Sequence, residues 1–99
     1  MKINELTGAA LDWAVAKSNG EEPLFWTDWN KGAGACYSPS GFWAQGGPII
    51  EREGIALIPG WTGERPGYSA DGDTPLIAAM RCYIASKLGE SVEVPQELI

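Results

Sequence analysis

Trp43, Gln45, Gly46 and Gly47 stand together in the run Trp-Ala-Gln-Gly-Gly-Pro, and Arg52 follows shortly after. These residue types suit binding better than reaction. An indole stacks on a base or another planar ring, glycines let backbone amides approach a ring or a phosphate, and a guanidinium neutralises its charge. Trp13 and Arg81 extend the set from two helical runs elsewhere in the chain. Arg81 lies at the edge of an apolar stripe, where an unpaired guanidinium is very costly. It therefore calls for an acidic partner such as Glu51, or for a bound phosphate or carboxylate. Trp13, Trp43, Gln45, Gly46, Gly47, Arg52 and Arg81 are the candidate ligand-binding residues. The competing reading is a hydrophobic corner, because tryptophan also supplies much of the buried area of a small core. Of the five tryptophans, Trp26, Trp29 and Trp61 stay open between core and site.

Catalytic groups are scarce. The chain has no histidine, which removes the commonest general base and metal ligand. Cys82 lies in an apolar helical context and Cys36 in a Gly-Ala-rich one, so both read as inert thiols. The serines of Ser-Pro-Ser-Gly and Tyr-Ser-Ala-Asp lack the strand-turn-helix setting of a hydrolase nucleophile. Glu51 and Glu53 read as a solvated strand edge. Ala-Asp-Gly-Asp-Thr opens like a calcium loop, but an apolar helix follows where further oxygen ligands are needed. Neither Gly-Ala-Gly-Ala-Cys nor Ala-Gln-Gly-Gly-Pro has the spacing of a nucleotide loop. The expectation is a protein with no catalytic residue, no metal and no cofactor.

Charge and length narrow the partners. Thirteen acidic against seven basic residues give a net charge of −6, which repels nucleic-acid backbones and anionic membranes. Neither a DNA or RNA polymer nor a membrane is expected as a partner. The start of the chain lacks the apolar run of an export signal, and no segment approaches the roughly 18 apolar residues of a membrane helix. A soluble intracellular protein with reduced thiols is expected. A chain of 99 residues forms one domain, residues 1–99, around one modest core.

Two helices must position these groups. The first runs from about Thr7, an N-cap, to Ser18, where Ser-Asn-Gly ends it. Leu11, Ala14 and Val15 form its buried stripe, and Trp13 projects from the opposite side. The second runs from Pro75, capped by Thr74, to Leu88, and Gly89 closes it. Its apolar stripe of Leu76, Ile77, Met80, Ile84 and Leu88 is backed by a face of small residues, so it is buried nearly all round. Leu24–Trp29, Gly47–Arg52, Gly54–Trp61 and Ser91–Val94 read as short strands bounded by turn residues. The fold class is α+β, with two helices packed on a small, irregular, mainly antiparallel sheet. The two apolar faces of the first helix and the small-residue face of the second predict a homo-oligomer, a dimer or higher.

Three blocks carry a family resemblance: LTGAALDWAVAK (6–17), YSPSGFWAQGGPIIERE (37–53) and TPLIAAMRCYIASKLGESVEVP (74–95). Together they resemble the phage NinX-like family, small proteins of tailed phages and prophages. The resemblance implies a phage protein in the cytoplasm of an infected bacterial host. Small phage proteins without catalytic residues often act by binding. The expected function is therefore sequestration, without catalysis, of a nucleotide-derived small molecule that signals anti-phage defence. Trp43 or Trp13 would stack the base, the Gln45–Gly47 turn would touch ring or phosphate, and Arg52 or Arg81 would neutralise charge. The alternative is an acidic interaction protein that binds and inhibits a host protein.

Overall fold

The computed structural model describes residues 1–20 and 38–94. Within them a 3-10 turn, Ile3–Glu5, leads to helix α1, Gly8–Ser18. Helix α2 spans Trp43–Glu53. Strands β1, Ala56–Ile58, β2, Thr62–Arg65, and β3, Tyr68–Asp71, then form an antiparallel meander in chain order. Helix α3, Pro75–Leu88, follows. The class is α+β, as the sequence predicts, with three helices rather than two among the described residues.

The outer helices form where their caps and stripes place them. Thr74 Oγ1 accepts the amide of Ile77 at 3.1 Å, and Gly89 leaves α3 with a φ of 96°. Thr7 caps α1 through its extended backbone alone, since its hydroxyl accepts no capping bond. Every residue of α3 from Ala78 to Ala85 is buried, and so is every residue of α1 from Ala10 to Ala16. Both faces of α1 are thus covered within the single chain. Burial of that helix does not by itself call for a second copy.

Helix α3 crosses the inner face of the sheet, onto which the register Leu57, Gly63, Ala70 falls. Gly63 permits the close approach. A Cβ there would stand 2.8 Å from the carbonyl oxygen of Ala78, inside any normal contact.

The assignment of Gly47–Arg52 as a strand is corrected: this stretch is helical throughout. Gly-Gly-Pro has the chemistry of a turn and Ile-Ile that of a strand, yet tertiary burial decides. Gly46, Ile49, Ile50 and Glu53 recur at helical spacing and are the positions turned toward the rest of the protein. Gly54, with a φ of 65°, ends the helix, and the amide of Ile55 returns to Ile50 O at 3.1 Å. Pro48 inside the helix removes one amide donor, and the acceptor it would have served belongs to exposed Ala44.

The other strand assignments are partly corrected. Only Ala56–Ile58 of the Gly54–Trp61 run is strand; the chain then turns through Gly60 and Trp61, both at positive φ. Trp61, left open by the sequence, is an exposed turn residue. Ser91–Val94 forms no strand of the sheet, but Ser91 bridges Lys2, and Val92 N donates to Met1 O at 2.8 Å. Leu24–Trp29, with Trp26, Trp29 and Cys36, lies outside the described residues.

Candidate functional site

The residues of the 38–47 stretch build one side of a cleft. Phe42 precedes α2, and its carbonyl accepts the amides of Gln45 and Gly46. The preceding turn closes on Ser38 O, which accepts from Gly41 N at 3.0 Å and Phe42 N at 2.8 Å. Two side chains hold that turn in place. Gln45 Oε1 accepts the Ser38 amide, and Asp12 Oδ1, from α1, accepts the Ser40 amide at 3.0 Å. Burial pushes the Asp12 carboxyl above its ordinary value, while hydrogen bonds from Ser40 and Ser38 pull it back.

Gly46 lets α2 sit against this turn. A Cβ there would overlap the Pro39 carbonyl oxygen and press on Leu76 Cδ2 at 2.7 Å. The first turns of α2 and α3 are thereby brought side by side, and a cleft of about 220 Å³ opens between them, lined by Ser40, Gly41, Trp43 and Thr74–Ile77. Trp43 is its large ring, 55% exposed, beside an equally exposed Phe42. Trp43 Cε3 lies 3.9 Å from where a Cβ of Gly47 would stand, an ordinary contact, so the indole lies alongside that residue without needing a glycine there.

The cleft is polar in direction but carries no charged side chain in its lining. First-turn amides of a helix have no acceptor within the helix, and each helix N-terminus carries about half a positive charge. Trp43 and Ala44 hold such positions in α2, and Leu76 does in α3. The lining thus offers one flat ring, amide donors and the hydroxyls of Ser40 and Thr74. That suits a planar ligand with an acceptor-rich or singly anionic edge.

The seven candidate residues do not converge. Trp43 lines the cleft, with Gly47 beside it. Gly46 and Gln45 shape it from beneath: the Gly46 amide is spent on Phe42 O and the Gln45 carbonyl on Ser38 N, so neither of these groups is open to a ligand. Trp13 is a core side chain, 7% exposed, with the Lys17 ammonium 5.1 Å from its ring centroid. Arg81 is also buried, 8% exposed, and pairs with neither Glu51 nor a ligand group. Its Nε donates to Leu6 O at 3.0 Å and its Nη1 to Asp71 O at 2.8 Å, which ties the N-terminal turn to the end of β3. Arg52 lies nine residues beyond Trp43 on α2, about 13 Å along the axis and half a turn round it. There it meets Glu53, Asn19 and Tyr83 instead.

Sequence reasoning missed Ser40, Thr74 and above all Asp12. The signal for Asp12 was present: it is the one carboxylate inside the apolar run of the first helix, the same anomaly that drew attention to Arg81.

No group of three or more metal-binding side chains occurs among the described residues. None of the described helices is long and apolar enough to cross a membrane. The family model described as Bacteriophage P22, NinX, matches residues 2–87. No curated protein matches the chain.

Proposed function

Because the chain belongs to the bacteriophage NinX family, we propose that it binds and sequesters a nucleotide-derived small molecule in the cytoplasm of the infected host, blunting an anti-phage signal without catalysis. One observation carries this reading: Trp43 is held half-exposed at the mouth of a cleft between two helix N-termini. A ring held in the open costs apolar hydration that stacking on a base would recover.

The size and charge of the cleft refine the ligand. At about 220 Å³ it is smaller than a typical whole-ligand pocket of roughly 300–1,000 Å³. It would take a base or a single phosphate, with the rest of the molecule lying across the open side. The net charge of −6 favours a small ligand over a nucleic-acid polymer. Among the described residues the lining has two hydroxyls and no carboxylate, thiol or amine to take their protons. Binding is therefore favoured over turnover. A homo-oligomer would bury exposed Phe42 and Trp43, or Ile58, Trp61 and Tyr68 of the meander, rather than the helix faces.

Protein purified from infected, defence-activated cells, heat-denatured and analysed by mass spectrometry, tests the proposal. An unaltered nucleotide-derived molecule released in stoichiometric amount is the expected result. A converted product would indicate an enzyme. Capture of a host protein with no small molecule would favour the inhibitor alternative.

A further inference from the structure

The glutamate assigned to a solvated strand edge lies at the end of a helix and is only partly solvated. Glu53, in the last turn of α2, has a side chain only 13% exposed and gathers three cations from three elements. Arg52 Nε lies 2.8 Å from its Oε2, Arg65 Nη1 of β2 3.0 Å from its Oε1, and Lys87 Nζ of α3 3.7 Å from that same oxygen. Those contacts hold the Glu53 carboxyl below its ordinary value, the Arg52 hydrogen bond foremost. The carboxylate cancels one of the three positive charges. Two helix C-termini offset about half a charge each, and the balance stays positive. In a chain with seven basic residues and a net charge of −6, this is a concentrated cationic patch.

Its donors are not exhausted. Arg65 Nη1 serves Glu53 and Ser86 Oγ, and Arg52 Nη2 serves Asn19 Oδ1 and Tyr83 Oη, while Arg52 Nη1 and Arg65 Nη2 have no acceptor among the described residues. Arg52 and Lys87 are exposed, 54% and 44% at the side chain, so their heads are open to solvent. Because Arg65 and Lys87 share one oxygen of Glu53, their nitrogens sit close enough for one tetrahedral anion to touch both. Glu53 serves as the template that holds like charges together.

We propose that Arg52, Arg65 and Lys87, arrayed on Glu53, form a second ligand site that binds a phosphate group, separate from the Trp43 cleft at the other end of α2. The remaining Nη of each guanidinium can donate a charge-assisted bond to a phosphate oxygen, and the ammonium adds a point charge. A free phosphate and the phosphate of a monoester share this chemistry.

The test follows the side-chain Nε–Hε signals of Arg52 and Arg65 by NMR during titration of the full chain with inorganic phosphate, adenosine monophosphate, adenosine or sodium chloride at constant ionic strength. Saturable shifts with phosphate, none with adenosine or chloride, are expected. Tighter binding of the monophosphate assigns the site to an ester source, and equal or weaker binding to the free anion. Lys87→Ala, at an exposed position, should weaken phosphate about five- to tenfold, and Trp43→Ala should leave it unchanged. Shifts that chloride reproduces, or an affinity that survives Lys87→Ala, would overturn the site whatever the fate of the cleft.

Discussion

Asp12 in α1 accepts the backbone amide of Ser40 at 3.0 Å, across 28 residues of sequence. A buried carboxylate thus fixes the turn from which α2 and Trp43 start. Its raised proton affinity has a defined sign. The folded state binds the proton more tightly than the unfolded one, so this group's contribution is fully present below the ordinary value near 3.8 and is lost as pH rises through the folded value. Asp12→Asn should keep the Ser40 bond and flatten that decline in chemical-denaturation curves measured from pH 4 to 7. Asp12→Ala should cost about 1–3 kcal/mol by stranding the amide.

Gly46→Ala adds one methyl group against the Pro39 carbonyl oxygen and Leu76 Cδ2. Overpacking of this kind costs about 1–3 kcal/mol. A lowered Tm is expected, and Gly47→Ala, which meets only Trp43 Cε3 at 3.9 Å, should melt close to the parent.

Trp43→Ala tests the cleft. Because the ring is half-exposed, the melting temperature should barely move. Affinity for a base-bearing ligand should fall by one to two powers of ten, the value of stacking worth about 1–3 kcal/mol. A collapsed Tm would identify the ring as core and end the binding-wall reading.

Arg81→Met removes the guanidinium and leaves the carbonyls of Leu6 and Asp71 unpaired. Each stranded group costs about 1–3 kcal/mol. Urea unfolding should show a loss of several kcal/mol, with no change in the affinity of the Trp43 cleft.

The outer helices were legible because their caps, stripes and closing glycines all agree. Helix α2 was not, since its decisive core position is Gly46, which has no side chain for a hydrophobic pattern to register. Strand β2, Thr-Gly-Glu-Arg, is too polar to announce itself, and its contact with α3 again runs through a glycine. The sequence offered Trp43 and Trp13 alike as the stacking ring; only the fold separates the half-exposed Trp43 from the buried Trp13. The partners of Arg81 could not be picked from sequence, because they are backbone carbonyls, which every residue carries.

Pro48 has one more consequence. Its absent amide leaves a gap in the α2 ladder between the turn that bears Trp43 and the half anchored by Ile49 and Ile50. The leading turn is therefore held mainly from outside the helix, by the close seat of Gly46 on Pro39 and the Asp12 bond to Ser40. In hydrogen exchange the amides of Ile49 to Glu53 should therefore be protected well beyond those of Trp43 to Gly47. The width of the cleft mouth is thus set by residues of α1 and the 38–42 turn rather than by the ladder of α2 itself.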